Sequence, residues 1–126
     1  MKKVIILCVL INLLFSASFE TALNEAKKTH KMFLVELVME SCSYCEKMDK
    51  YVLSNDEVKQ ILNDHYIFIK LDINKDDIPE ILTSRLTPTF YFINASEGKI
   101  IKDIIGAPSK SQFLSYIETQ YLDMEK

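Results

Sequence analysis

The chain has 126 residues, with 15 Lys and Arg against 18 Asp and Glu, for a net charge of −3. That length suits one compact domain, and an acidic balance argues against nucleic acid or an anionic membrane surface as partner.

The first residues read as an export signal. Met1-Lys2-Lys3 precede an apolar run from Val4 to Phe15, and Ser16-Ala17-Ser18 follow with small side chains. The run is shorter than the roughly 20 residues a membrane-spanning helix needs. The expected organisation is a signal peptide over 1–18, cleaved after Ser18, and one domain over 19–126. Loss of 18 of the 126 residues leaves 108 and shifts the net charge from −3 to −5, since only Lys2 and Lys3 go. If the segment stays uncleaved, it tethers the same domain to the membrane. Leu7 before Cys8 does not suit lipidation.

Residues 19–30 pattern as an amphipathic helix, with Phe19, Ala22, Leu23 and Ala26 on one face. Residues 32–39 form an apolar run interrupted only by Glu36, as in a parallel strand covered on both faces. Cys42-Ser43-Tyr44-Cys45 comes next and opens a helical stretch. Met48, Tyr51 and Val52, then Val58, Ile61 and Leu62, recur at helical spacing, with a break and a cap at Ser54-Asn55-Asp56. A strand is expected at 66–72 and a short helix at 78–86. Strands at 89–94 and 99–105 make a hairpin through Ala95-Ser96-Glu97-Gly98, and a last helix runs over 109–122. Parallel strands linked by helices, then an antiparallel hairpin, give an α/β fold. Its central mixed sheet of about four strands is flanked by helices.

Two thiols three residues apart at a helix start can close into a disulfide and reopen, the build of a dithiol redox site. Their only companion, Cys8, lies in the expected signal. As a structural staple the pair would close a very short loop and remove little unfolded-state entropy. Cys42, at the helix start, faces unpaired N–H groups and is the expected attacking thiol. Cys45, one turn in, is the expected buried, resolving thiol. Ser43 and Tyr44 bring no positive charge, and Glu40 and Glu46 should oppose a thiolate, which argues against a strong oxidant.

Zinc could also use two cysteines, with His30 and His65 completing the set. Each histidine precedes a strand, whereas the cysteines follow one. With parallel strands, seven residues at about 3.3 Å each separate the two groups by roughly 20 Å. No metal and no cofactor is expected. The aromatic series Tyr66, Phe68, Phe90, Tyr91, Phe92 reads as core.

Cys42 to Cys45, Thr87-Pro88-Thr89 and Gly106, in this order, resemble the thioredoxin superfamily. The likeness covers about residues 19–122. It is most similar to small exported thioredoxin-like proteins related to the catalytic domains of periplasmic disulfide reductases and isomerases. Ser41-Cys42-Ser43-Tyr44-Cys45 departs from the Trp-Cys-Gly-Pro-Cys of thioredoxin, and thioredoxin's initial strand is missing or replaced. The resemblance implies that Glu36, six residues before Cys42, passes the Cys45 proton, and that Lys70 could pair with it. It implies a cis Pro88 beside the dithiol. Thr87 would present its backbone to an extended substrate, and Gly106 would let that substrate approach, next to Ser43 and Tyr44. The function so implied is a periplasmic, monomeric reductase of protein disulfides, re-reduced by a membrane thiol-electron donor. A disulfide oxidant is the alternative, and a redox-inert binding module of a maturation pathway is a third reading.

Overall fold

The computed structural model describes residues 18–126. The expected signal peptide, Ser18 apart, lies outside the described residues. Helix α1 (Ser18–Thr29) is followed by β1 (Met32–Val38), α2 (Ser43–Met48), a π-helical turn (Asp49–Leu53) and α3 (Asp56–His65). Strands β2 (Tyr66–Asp72), β3 (Thr89–Asn94) and β4 (Lys99–Ile105) and helix α4 (Lys110–Met124) complete the order.

The sheet order is β2-β1-β3-β4. β1 runs parallel to β2, from Met32 opposite Tyr66 to Val38 opposite Asp72. It runs antiparallel to β3, which pairs antiparallel with the edge strand β4. β1 is therefore central and covered on both faces, which is why six of its seven residues are buried. Side chains alternate across it. Met32 and Leu34 join Met48, Val52, Val58, Leu62, Phe92 and Phe113 beneath α2, α3 and α4. Phe33, Val35 and Leu37 join Ala22 and Ala26 of α1 and Leu82 on the opposite face. The aromatic series belongs to these two cores, with Phe68 packed at the margin of the first.

Local chemistry sets the element ends. Asn55 caps α3 by accepting from Glu57 N–H and Val58 N–H at 3.0 and 3.2 Å. Ser109 and Gln112 cap α4 reciprocally. Gly98, at φ 67°, makes the β3–β4 turn.

One expected element is absent. Residues 78–86 form no helix, and a single Leu82 N–H to Pro79 carbonyl bond of 2.9 Å marks one turn. The backbone groups there are taken by side chains instead. Ser84 N–H donates to Tyr91 Oη at 2.9 Å, and Leu86 N–H donates to Ser84 Oγ at 3.2 Å. Serine in a short segment competes for the bonds a helix would make. The four strands and the remaining helices lie where the apolar pattern puts them.

Candidate active site

β1 delivers the chain to the dithiol at the C-terminal end of the central strand. Ser41 turns it with φ 58°, and Cys42 then caps α2. Cys42 Sγ accepts the Cys45 N–H at 3.2 Å. It also accepts the Thr87 hydroxyl at 3.3 Å, from a residue 45 positions away in sequence. Cys42 and Cys45 are joined as a disulfide, their Cα atoms 5.2 Å apart.

The two cysteines do not differ in burial as expected. Cys42 is 7 % exposed and Cys45 6 %. They differ in hydrogen bonding. Cys42 Sγ takes two donors, and among the described residues no hydrogen bond to Cys45 Sγ is found. Donors aimed at a sulfur stabilise negative charge on it.

The Thr87–Pro88 peptide is cis, and Pro88 is buried. Gly106, at φ 100°, follows β4, and its N–H donates to the Pro88 carbonyl at 2.8 Å. This bond ties the end of β4 to the Thr87 loop, and the space where a Gly106 side chain would stand is open. Ser43 and Tyr44 are exposed on α2, with the Lys47 ammonium 5.1 Å from the centre of the Tyr44 ring. Thr87, Pro88, Cys42 and Gly106 are thus brought together, with Ser43 and Tyr44 on the rim.

Glu36 projects from β1 onto the face that carries α2 and α3. It is fully buried, and neither carboxyl oxygen has a hydrogen-bond partner. Its pKa is pushed up from 4.5 to about 7, first by burial, with Lys70 pulling it down and Asp49 pushing it up. Lys70, opposite it on β2, lies 4.0 Å from Glu36 Oε2 but hydrogen-bonds Asp49 of the π-helical turn.

Asp49 was not singled out by the sequence reading, although it follows Cys45 by four residues, one helical turn. The Glu40–Lys75 ion pair also escaped it, since nothing local links residues 35 apart. That pair offsets one of the two acidic charges expected to oppose a thiolate. His30 and His65 precede β1 and β2, at the sheet end opposite Cys42, and the His65 ring stacks on Tyr121 with centroids 3.7 Å apart. Among the described residues no three His, Cys, Asp or Glu side chains converge as a metal site.

The thioredoxin-like domain model matches residues 19–121. The chain belongs to the thioredoxin-like family. Its Cys42–Cys45 pair at the start of α2 equips it for thiol–disulfide exchange. A thioredoxin from Thermus thermophilus superposes with a TM-score of 0.70 at 24 % identity, covering 80 % of this chain and 82 % of the other. The C-terminal domain of DsbD from Neisseria meningitidis, oxidised, gives 0.67 at 20 % identity, over 82 % and 93 %. The periplasmic thioredoxin SoxS of Paracoccus pantotrophus gives 0.57 at 16 % identity, over 76 % and 100 %. At these identities the likeness is one of fold. Comparison with curated proteins gives no match.

Proposed function

We propose that this protein is an exported, monomeric thiol–disulfide oxidoreductase that reduces disulfides in other proteins. The observation that carries the exchange chemistry is the double donation to Cys42 Sγ, from Cys45 N–H and the Thr87 hydroxyl, while the reducing direction rests on the uncharged Ser43 and Tyr44 between the two cysteines. A sulfur so placed is held ready to carry negative charge, and the thiolate is the nucleophile in exchange.

In the reduced protein the Cys42 thiolate attacks one sulfur of a substrate disulfide. The substrate S–S bond breaks, and its leaving thiolate takes a proton from solvent. A mixed disulfide now joins Cys42 to the substrate. Cys45 gives its proton to the Glu36 carboxylate, attacks Cys42 Sγ and releases the second substrate thiolate. Two electrons have passed to the substrate, and the Cys42–Cys45 disulfide is left behind. A base with a pKa near 7 is matched to neutral pH for this proton transfer. Thr87 and Gly106 frame the path of an extended substrate segment, with Ser43 and Tyr44 as its outer contacts.

A reductase working outside the cytoplasm needs electrons, so a membrane thiol-electron donor is part of the proposal. Export rests on the signal pattern of residues 1–18. The name of the SoxS relative places that protein in the periplasm and fits the same setting. Sequencing the N-terminus of the protein from a periplasmic extract tests this. Phe19 as the first residue supports cleavage, and Met1 refutes it.

Catalysed reduction of a disulfide-containing protein, driven by a small dithiol, tests the activity. The chain should accelerate it, and Cys42→Ser should not. The second reading is an oxidant that donates its disulfide. It gains from the Thr87 contact and from the neutralisation of Glu40 by Lys75, both of which favour the thiolate.

A further inference from the structure

The irregular segment before β3 ends in a ring of hydrogen bonds. Leu86 N–H donates to Ser84 Oγ at 3.2 Å, and the Thr89 hydroxyl donates to the Leu86 carbonyl at 2.7 Å. That bond uses Thr89's one hydroxyl hydrogen. The 2.9 Å contact between Ser84 Oγ and Thr89 Oγ1 is then donated by Ser84, whose Oγ also stands 3.5 Å from the Leu86 carbonyl, the longer and weaker of the two contacts. The ring runs in one direction: Leu86 N–H to Ser84, Ser84 to Thr89, Thr89 to the Leu86 carbonyl. Both peptide groups flanking Leu86 are held, the second being the peptide that carries Thr87.

The ring is anchored from inside. Ser84 N–H donates to Tyr91 Oη at 2.9 Å, and Thr89 and Tyr91 are buried in β3. Leu86 itself is 62 % exposed, so its side chain supplies no anchor. No helix supports the segment either. The Thr87 hydroxyl, which must stay within hydrogen-bond reach of Cys42 Sγ, is the next side chain along.

We infer that Ser84 is a positioning residue for the Cys42 thiolate, holding the Leu86 N–H directly and the Leu86–Thr87 peptide through Thr89, so that the Thr87 hydroxyl stays on Sγ. This rests on the proposed thiol chemistry and assigns one determinant of its strength. A hydrogen bond weakens steeply with misalignment, and one to an ionised acceptor counts for more than a neutral one.

The test is a double-mutant cycle read on the Cys42 pKa, from the pH profile of alkylation followed at the Cys42 peptide of the reduced full-length chain. Thr87→Val removes the donor and should raise that pKa by about one pH unit, roughly a tenfold loss of thiolate at a given pH below it. Ser84→Ala should raise it by about half as much, roughly threefold. Ser84→Thr, which keeps the hydroxyl, should restore the wild-type profile. In the Thr87→Val background, Ser84→Ala should add nothing, because its effect passes through Thr87. If Ser84→Ala fails to fold, Tyr91→Phe, which removes the acceptor of Ser84 N–H, takes its place in the cycle. Additive shifts, or a wild-type profile in either single variant, would overturn the inference. Wild-type exchange activity, assayed separately, tells whether the underlying reading stands when the inference fails.

Discussion

The Lys70 ammonium stands 4.0 Å from Glu36 Oε2, yet its hydrogen bond goes to Asp49. Glu36 is therefore buried beside a cation that is shared with a second acid. The folded carboxyl holds its proton to about pH 7, while the unfolded one releases it near 4.5. The folded state binds more protons between these values, so stability falls as pH rises through that window and levels above it. The loss attributable to Glu36 is on the order of 3 kcal/mol. Denaturant unfolding of the oxidised protein at pH 5 and pH 8 should show this loss in the wild type and not in Glu36→Gln. The same variant should slow the resolving step more than the attack, so that mixed disulfides accumulate. Equal pH profiles in the two proteins would place Glu36 in contact with water.

Asp49→Asn should free Lys70 for Glu36. The Glu36 pKa then falls, and the pH profiles of stability and of the resolving step move to lower pH. Lys70→Met should move both to higher pH. Asp49 and Lys70 are 53 % and 40 % exposed, so solvent screens the pair and each shift should stay under about one pH unit. Resolving-step rates across the neutral range check the sign. Shifts in the same direction for both variants would contradict the shared-cation geometry.

Cys42→Ser should abolish exchange, because it removes the sulfur that carries both donors. Cys45→Ser should instead trap covalent complexes with substrate. Near-equal burial means that exposure does not separate the two roles. Rates of alkylation of the reduced pair do separate them. Cys42 should react faster near neutral pH, and equal rates would contradict the assignment.

Tyr66 joins β2 to α4 through a 2.6 Å hydrogen bond from its hydroxyl to the Ile117 carbonyl. Tyr66→Phe should cost about 1 kcal/mol of stability, the usual net worth of such a bond, with exchange unchanged. Thermal unfolding and the reductase assay together check this.

The strands were legible in the sequence because their signals are local. Apolar runs mark β1, broken only by Glu36, and β3, and Gly98 marks the turn to β4. The dithiol and its cap position were equally legible, since spacing alone sets them. Three features were not, because the apolar pattern does not encode the side-chain contacts or the helix geometry that set them. The ring around Ser84 replaces the helix expected at 78–86, because Tyr91 takes the Ser84 N–H and Thr89 the Leu86 carbonyl, backbone groups a helix would need. The π-helical turn at Asp49–Leu53 leaves Met48 and Val52 buried, so the apolar pattern reads as ordinary helix. The Glu40–Lys75 pair needs the loop after β2 to fold back toward β1. Only the last alters the charge balance argued from the sequence, and it weakens the expected opposition to the Cys42 thiolate.

The reduction potential of the Cys42/Cys45 couple, measured by equilibration with glutathione, tests the central claim most directly. Two donors stabilise the thiolate, and among the described residues neither of them is a cation. The potential should lie below the roughly −180 mV of an isomerase, toward the thioredoxin value near −270 mV. A value near −120 mV would make the protein an oxidant, and a pair that does not equilibrate would remove it from exchange chemistry altogether.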